Sequence, residues 1–330
     1  MSPSSSSYVS VIRRCQANEW RARTLGRRTG TAGEATVFGR GARGCTVVVA
    51  ALASVLGLLV IGPSAPGGAL IAKPALPPGA ARGIVANRVM TWNLCNPCGG
   101  REYNAGRAAD IATYAPQVVG LQEACVRDVE QIRDHLELLY GLVYHVAYGS
   151  VLHNWGRCGG FPWSPGGFGQ AILSAAPMTD RRLVEYPDGG SEDRGYLAVT
   201  TTVGHRPVRV VDTHLAQRRQ ESVRAGQAEV LAREVARHER IIVLGDFNAT
   251  PQAPELAPLW KVAADADPAC GPTPGEGCAT TTDWHSKFDY VFLRGIAPLA
   301  QGVHPSRYSD HHPVHADLGP VGGPRGTTHD

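Results

Sequence analysis

The chain has 330 residues, enough for one large domain or two small ones, and its composition is that of a folded protein. The net charge of +3 hides an asymmetry: 10 of the 32 basic and 2 of the 29 acidic residues precede residue 86, leaving 22 basic and 27 acidic residues, or about −5, beyond it. This excludes a domain that collects nucleic acid through a global positive field, so any phosphate must be held by local groups or a divalent metal.

The N-terminal part of the chain predicts export. Residues 1–45 are basic and are expected to be disordered, and residues 46–62 form an apolar run. Seventeen residues is short for a membrane span and slightly long for a signal h-region, so anchor and cleaved signal both stay open. The basic flank keeps the start of the chain in the cytoplasm, so in both cases the chain beyond the apolar run is exported. Residues 63–85 predict a Pro/Gly/Ala linker.

Six of the eight cysteines lie beyond this linker, and an even number in an exported domain predicts disulfides. Cys270 and Cys278 bracket a short Gly- and Pro-rich loop and are a plausible pair. The partners of Cys95, Cys98, Cys125 and Cys158 cannot be deduced from the sequence. Cys95 and Cys98 also have the spacing of a redox pair or of half a zinc site, although no second closely spaced pair supports zinc.

From residue 86 to about residue 320 the sequence predicts one domain of mixed strands and helices, with a flexible tail over residues 321–330. Apolar patterning predicts strands over residues 88–94, 118–122, 142–149, 170–176, 196–203, 208–215, 241–244, 288–295 and 313–319, and helices over residues 105–115, 126–141 and 218–240. Several strands succeed one another without a helix between them. The pattern therefore favours an α/β protein with mixed rather than purely parallel sheets.

Polar side chains interrupt or end several of these apolar strands. The interruptions are Asn93, Glu123, His214, Asp246 with Asn248, Asp289, and Asp310 with His311. Singly, each has an ordinary explanation as a turn former, a helix cap or a structural histidine. Together they supply carboxylate, carboxamide and imidazole groups at strand ends, where catalytic groups gather.

These groups suit phosphoester hydrolysis. Carboxylate and carboxamide oxygens suit Mg²⁺, with Mn²⁺ or Ca²⁺ as alternatives, and such a metal screens the phosphate and stabilises a leaving oxyanion. A histidine paired with an aspartate has a fixed tautomer and can remain cationic beside phosphate. A second carboxylate can orient the attacking water.

The motifs TWNL, LQE, THL, GDFNATP, FDYVF and SDHHPV, in this order over about 230 residues, resemble the endonuclease/exonuclease/phosphatase superfamily, which includes deoxyribonuclease I. The resemblance implies a four-layer αββα sandwich of two mixed β-sheets with the site at one edge of the packed sheets. It implies metal binding by Glu123, with Asn93 beside it and Asp310 completing the site. It implies that Asp246 orients or deprotonates water and that Asn248 holds a phosphate oxygen and the second metal position. His311, held by Asp289, would be the phosphate-binding or acid/base histidine. His214 would match the second histidine of the deoxyribonuclease I-like and sphingomyelinase branches.

One departure from that branch is the partner of His214, which is usually a glutamate on a neighbouring strand. In this sequence Arg194 lies near that position, with Glu192 and Asp193 close by, and we predict that Arg194 binds phosphate directly as a bidentate donor. His311, His312 and His315 also suggest zinc, but a structural role for His312 and His315 is favoured.

The lead hypothesis is an exported, monomeric, metal-dependent phosphodiesterase or phosphatase acting on nucleic acid. One alternative is a sphingomyelinase-like or inositol phosphate hydrolase, which would meet a membrane through aromatic residues of the loop over residues 154–169, namely Trp155, Phe161, Trp163 and Phe168. The same aromatic residues could instead stack on bases or fill the loop. If residues 46–62 are retained, they would also attach the chain to a membrane. The alternative of another class is a non-catalytic, surface-anchored binding protein on this fold.

Overall fold

The computed structural model describes residues 73–320, apart from residues 97, 154, 162, 218 and 274–276. The predicted basic segment, the apolar run, the first part of the linker and the tail over residues 321–330 lie outside these residues. No helix in the described part of the chain has the length and apolar character needed to cross a bilayer. Residues 73–84 contain no helix or strand, and Leu76, Ala81 and Ile84 in this segment pack against the domain.

Fourteen strands and five α-helices are found among the described residues. The strands are β1 Val85–Asn93, β2 Pro116–Cys125, β3 His145–His153, β4 Gly160–Phe161, β5 Ser164–Pro165, β6 Gly167–Ser174, β7 Met178–Glu185, β8 Gly195–Val203, β9 Arg206–His214, β10 Ile241–Asp246, β11 Ala264–Asp265, β12 Asp289–Arg294, β13 Pro298–Val303 and β14 Val314–Leu318. The helices are α1 Asn104–Tyr114, α2 Val126–Tyr140, α3 Trp155–Cys158, α4 Glu221–Ala236 and α5 Ala257–Trp260, and single 3₁₀ turns cover Arg101–Tyr103 and Pro254–Leu256.

Two six-stranded mixed sheets form the centre of the domain, with strand orders β13-β14-β1-β2-β6-β3 and β11-β12-β10-β9-β8-β7. One buried apolar cluster, which includes Val89, Ile172, Val210 and Leu244, joins the sheets face to face. A second cluster packs α1 and α2 on the first sheet, and a third packs α4 and α5 on the second. These layers are the predicted αββα sandwich, which is confirmed.

Alternation along the strands explains why both faces of each sheet are buried. In β10, Ile241 and Val243 face the helices, whereas Ile242 and Leu244 face the other sheet. Successive side chains of a strand point to opposite faces, so Asp246 continues the row of Ile242 and Leu244 toward the first sheet. The apolar seam between the sheets therefore ends in polar side chains.

Three strands that the sequence did not predict lie at or near the edges of the sheets, namely β7, β11 and β13. Most side chains of β7 and β13 are exposed or half-buried, and β7 carries charged residues while β13 begins with a proline. Charge and proline on edge strands discourage pairing with other chains, but they also remove the apolar alternation by which a strand is recognised. The sequence pattern therefore missed them.

Three disulfides are found within residues 73–320, Cys95–Cys98, Cys125–Cys158 and Cys270–Cys278. The expected pair around the short loop is confirmed, and the two connectivities that the sequence left open are now assigned. Cys125 ends β2, so its bridge fixes α3 and the adjoining β4–β5 ribbon beside the end of that strand.

Leu244 tests how far the inter-sheet cluster stabilises the domain, because its side chain is fully buried between the sheets. We expect Leu244→Ala to lower the free energy of unfolding by about 2–5 kcal/mol, through lost apolar burial and the cavity left behind. Denaturant titration measures this change. Leu299→Ala, at a side chain that is 71% exposed, is the matched control and should change stability by less than about 0.5 kcal/mol. Equal effects of the two substitutions would contradict tight packing between the sheets.

Candidate active site

The polar ends of the inter-sheet rows meet at one edge of the sandwich. In the second sheet, Asp246 of β10 lies opposite His214 of the parallel strand β9 and opposite Asp289 of the antiparallel strand β12. The first sheet contributes Asn93 at the end of β1, whose amide Nδ2 donates to Asp246 Oδ2 at 2.9 Å. The strand register therefore brings groups from four separate motifs of the sequence into one cluster.

Asp246 is the centre of this cluster and is 1% exposed. Its Oδ1 accepts the backbone N–H of Asn248 at 2.8 Å, and its Oδ2 lies 3.3 Å from His214 Nε2 and 3.7 Å from His311 Nε2. Burial by itself raises the pKa of Asp246, but the neighbouring imidazoles and the Asn248 N–H together outweigh burial and hold that pKa below its ordinary value of 3.8. Asp246 is therefore a carboxylate at neutral pH.

His311 is held by Asp289, which is fully buried. His311 Nδ1 donates to Asp289 Oδ2 at 2.9 Å, and Thr281 Oγ1 donates to the same oxygen at 2.6 Å. Burial lowers the pKa of His311, but the carboxylates of Asp289, Asp246 and Asp310 raise it by a larger amount. The pKa of His311 is therefore raised from its ordinary value of 6.5 to about 10. His311 is therefore an imidazolium whose Nε2–H points into the site.

Glu123 reaches the cluster through an irregularity in β2. The pairing of β2 with β6 shifts register between Leu121 and Ala124, and Glu123 has the left-handed backbone angle φ = 50°. In a regular strand Glu123 would share the helix-facing side of Leu121, but a bulge turns the side chain. Its Oε1 lies 4.0 Å from His214 Nε2. A non-glycine residue in this conformation is strained, as is frequent at functional sites.

The residues that could hold a divalent cation are Glu123 and Asp310. Asp310 is half-buried, and its pKa is raised to about 6. Burial is the largest cause of this rise, and repulsion from the carboxylates of Glu123 and Asp283 adds to it. Attraction to His311 acts in the opposite direction and only partly offsets the rise. Two mutually repelling carboxylates of this kind fit a hard cation, whose charge would relieve the repulsion.

Asn93 is held at both ends of its amide. Its Nδ2 donates to Asp246, and its Oδ1 accepts the backbone N–H of Cys95 at 2.9 Å. The structure therefore gives Asn93 a role in orienting Asp246. Its Oδ1 has a second lone pair, so the predicted contact of Asn93 with the metal stays a prediction.

Asn248 lies just beyond β10 in the left-handed region, at φ = 51°, a conformation that asparagine tolerates better than most residues. This turn lets the backbone N–H of Asn248 cap Asp246 while the side chain folds back toward His214, with Nδ2 3.0 Å from His214 Nε2 and 3.1 Å from Leu215 O. Asn248 thus lies in the cluster, as its motif predicts.

Arg194 does lie beside His214, but its geometry differs from the prediction. Its side chain is only 2% exposed, with Nη1 2.6 Å from His214 Nδ1 and Nη2 2.8 Å from Glu192 Oε2. The other oxygen of Glu192 pairs with Arg157. Arg194 is therefore packed behind His214 with both terminal nitrogens in use, and direct bidentate binding of phosphate does not agree with this arrangement.

Sequence reasoning missed two hydroxyl groups that support the site. Thr281 Oγ1 donates to Asp289, and Ser309 Oγ donates to the backbone carbonyl of Asn93 at 2.7 Å and accepts the N–H of His311 at 3.1 Å. Ser309 lies in the last motif of the sequence and could have been noticed there. Thr281 lies in an irregular segment without apolar alternation, so nothing in the sequence marked it.

The three histidines near the last strand do not converge as zinc ligands. His312 faces Asp283 at 3.6 Å, while His315 stacks on His304 with ring centroids 4.7 Å apart. Only His311 of the three belongs to the cluster around Asp246. This agrees with the structural roles that the sequence favoured for His312 and His315.

A sandwich of two packed sheets with carboxylates, imidazoles and a carboxamide at one edge is of the deoxyribonuclease I-like class, and the sequence comparison agrees. Residues 90–311 match the family model described as the endonuclease/exonuclease/phosphatase family, so this chain belongs to that family. Members of the family hydrolyse phosphoester bonds and generally use a divalent metal ion. No protein among the curated sequences compared with it matches this chain.

Solved structures share the fold at low sequence identity. D. rerio TDP2 complexed with a single-strand DNA product is 18% identical, covers 71% of this chain and 98% of its own, and has a TM-score of 0.57. The endonuclease/exonuclease/phosphatase from Bacteroides vulgatus is 19% identical, with coverage of 71% and 99% and a TM-score of 0.57. The one from Beutenbergia cavernae is 24% identical, with coverage of 70% and 71% and a TM-score of 0.53. At these identities the likeness establishes the fold alone.

Proposed function

We propose that this chain is an exported, metal-dependent phosphodiesterase or phosphatase whose lead substrate is nucleic acid. The observation that carries the proposal is the convergence on Asp246 of an imidazolium, a second imidazole and the carboxamide of Asn93, with Glu123 beside them. A fold retained only for binding would have no need of this set of groups. The family hydrolyses phosphoesters, and the proposal extends that activity to this chain.

The protein groups divide the reaction between them. The Nε2–H of His311 and the amide of Asn248 bind phosphate oxygens and place the phosphorus above Asp246. Asp246 accepts a hydrogen bond from the attacking water and aligns it with the phosphorus. Because the pKa of Asp246 is lowered, its contribution is orientation and charge more than strong proton abstraction. The water oxygen forms a bond to phosphorus as the bond from phosphorus to the ester oxygen breaks, with the proton of the water released to solvent and the leaving oxygen protonated from solvent.

The metal site in this proposal consists of Glu123 and Asp310. A divalent ion there would neutralise charge on the phosphate and stabilise the leaving oxygen. Mg²⁺ is favoured because the ligands are carboxylates, with Mn²⁺ and Ca²⁺ as alternatives. The raised pKa of Asp310 fits a carboxylate that needs a cation before it is fully ionised.

Nucleic acid is proposed as the substrate because of the β4–β5 ribbon. Phe161 and Trp163 on this ribbon are 58% and 79% exposed, and their rings stack 5.2 Å apart. Exposed aromatic rings bind unpaired bases by stacking. The Cys125–Cys158 bridge fixes the ribbon to the end of β2, two residues beyond Glu123. The solved D. rerio TDP2 complex, with its single-strand DNA product, has the same fold.

A phospholipid or inositol phosphate is the second candidate substrate, because the exposed aromatic side chains of the same ribbon also suit contact with a bilayer. Two exposed aromatic side chains could enter the interfacial region of a bilayer instead of stacking on bases. The acidic balance of residues 86–330 also opposes tight electrostatic binding of nucleic acid. Retention of residues 46–62 would place the chain at a membrane surface.

Export is proposed from the apolar run and is supported by the three disulfides, which persist in oxidising compartments. Fractionation of producing cells, with separate assay of membranes and medium, tests this localisation. Activity or protein confined to the cytoplasm would contradict it. We also propose that the chain acts as a monomer, which light scattering can test.

A substrate panel tests the proposed activity. The panel comprises single- and double-stranded DNA, RNA, sphingomyelin and inositol phosphates, each assayed with Mg²⁺, Mn²⁺ and Ca²⁺. We expect hydrolysis of a nucleic acid to be fastest. Faster hydrolysis of sphingomyelin or inositol phosphate would favour the second candidate. Binding without hydrolysis of any member would favour a non-catalytic binding protein.

Removal of divalent metal is expected to stop hydrolysis, because the phosphate would then meet unscreened carboxylates. The measurement is the initial rate on the preferred substrate after treatment with EDTA, and then again after addition of excess Mg²⁺. We expect loss of activity and its recovery. An unchanged rate in EDTA would remove the metal from the mechanism, while the roles of Asp246 and His311 could still be tested separately.

A further inference from the structure

Arg194 occupies the position behind His214 where the resemblance implies an acidic partner. We propose that Arg194, held by Glu192, is a positioning residue that fixes His214 as the neutral tautomer with its proton on Nε2. The inference deepens the proposed function and rests on it for its catalytic consequence, although the tautomer itself can be measured without any activity.

The first step is the contact at Nδ1. Arg194 Nη1 lies 2.6 Å from His214 Nδ1. A guanidinium has five N–H donors, no acceptor, and does not lose its proton in proteins. His214 Nδ1 must therefore accept the hydrogen bond through its lone pair. A proton on Nδ1, in either the neutral ring or the imidazolium, would face an N–H of Arg194.

The second step is the hold on Arg194. The guanidinium is 2% exposed, and its Nη2 lies 2.8 Å from Glu192 Oε2. Glu192 pairs in turn with Arg157, which precedes Cys158 of the Cys125–Cys158 bridge. The charge of Arg194 is thus compensated on the side away from His214. Burial and pairing keep the guanidinium from turning away from the imidazole.

The third step is the other ring nitrogen. With Nδ1 accepting, the ring proton is on Nε2, which lies 3.3 Å from Asp246 Oδ2. Asn248 Nδ2 lies 3.0 Å from the same Nε2 but donates to Leu215 O at 3.1 Å, so the amide keeps its orientation. Two N–H groups do not bind each other, so the approach of Asn248 Nδ2 to Nε2–H is a close contact without a hydrogen bond. The guanidinium contact is shorter and charged, and a guanidinium cannot accept, so Arg194 decides the tautomer.

This tautomer produces a difference in chemistry between the two histidines. An acidic partner accepts a hydrogen bond from Nδ1–H, as Asp289 does for His311. Arg194 instead donates to Nδ1 of His214, so the two histidines of the site have unequal roles. His311 supplies positive charge, whereas His214 supplies a neutral N–H donor that aligns Asp246 or a phosphate oxygen.

The test is NMR of the full chain with ¹⁵N-labelled histidine, with the His214 signals assigned by their loss in His214→Asn. At neutral pH we expect Nε2 to carry a proton and Nδ1 to carry none. A proton on Nδ1 of the wild-type protein would overturn the inference. In Arg194→Glu we expect Nδ1 to gain a proton, because the new side chain accepts. If His214 Nδ1 still carries no proton in the folded Arg194→Glu variant, the inference is also overturned.

Kinetics separate positioning from mere structural support. We expect Arg194→Gln to lower kcat about 10- to 100-fold with a smaller change in KM, and Arg194→Lys, which keeps a charged donor, to recover part of the loss. The control is Arg209→Gln, at a buried arginine of the same sheet whose Nη1 donates to Asp180 O, and it should retain wild-type rates. Wild-type kcat in Arg194→Gln would overturn the positioning role. If the chain hydrolyses nothing, the NMR result still decides the tautomer.

Discussion

Asp246→Asn is expected to lower kcat by about 10²- to 10⁴-fold while the protein remains folded. The amide keeps the shape of the carboxylate and can still accept the N–H of Asn248, so the turn after β10 is retained. It removes the negative charge that lies 3.3 Å from His214 Nε2 and 3.7 Å from His311 Nε2, and with it the acceptor that aligns the attacking water. Steady-state kinetics on the preferred substrate measures the loss, and circular dichroism checks the fold.

Asp212→Asn is the matched control for this experiment. Asp212 is fully buried between the sheets two residues before His214, and burial raises its pKa well above 3.8. The amide keeps the shape of the carboxyl group, and its oxygen can still accept the hydrogen bond from Gln122 Nε2, so activity should stay near that of the wild type. Comparable rates for Asp246→Asn and the wild type would refute the role given to Asp246.

His311→Gln is expected to cause the second large loss, again of about 10²- to 10⁴-fold in kcat. Glutamine can donate a hydrogen bond toward phosphate but cannot carry the charge that Asp289 maintains on the imidazole. His312→Gln is the neighbouring control, because His312 faces Asp283 outside the cluster. Equal losses of kcat in the two variants would mean that disturbance of the segment before β14, and not loss of the His311 imidazolium, lowers the activity.

The same substitution has a signature in stability against pH, measured on protein freed of divalent metal. The pKa of His311 rises from 6.5 to about 10 on folding, so its stabilisation is fully present below pH 6.5. As the pH rises from 6.5 toward 10, the stabilisation is lost, because His311 releases its proton at a lower pH in the unfolded chain than in the folded chain. The difference in free energy of unfolding between wild type and His311→Gln should therefore shrink between pH 6.5 and 10. A constant difference would show that the imidazolium is not stabilised by its carboxylates.

Sequence patterns predicted an α/β protein with mixed sheets and marked most of the residues around Asp246, because both depend on local rules, whereas the αββα sandwich was implied by the family resemblance. Buried strands such as β10 are recognisable by continuous apolar residues, and a carboxylate at such a strand end is conspicuous. Charged edge strands such as β7 have no comparable signature, because their side chains mostly face solvent. The resemblance to a known family supplied the roles that patterning alone could not assign.

The features that the sequence could not predict depend on side-chain geometry across the two sheets. The bulge at Glu123 turns a side chain from one face to the other, which no period-two pattern anticipates. The amide of Asn93 donates to Asp246, and Arg194 faces an imidazole where the sequence suggested a phosphate. Each of these outcomes was decided by which partner lay within hydrogen-bonding distance, and that is a property of the folded chain.

The position of β14 has a consequence for biosynthesis. β14 is the final strand of the described chain, yet it inserts between β13 and β1 and sets His311 and Asp310 at its entrance. A nascent chain that has completed every earlier strand still lacks both residues. The proposed catalytic site therefore cannot be assembled until the segment that enters β14 has been synthesised and has inserted between β13 and β1.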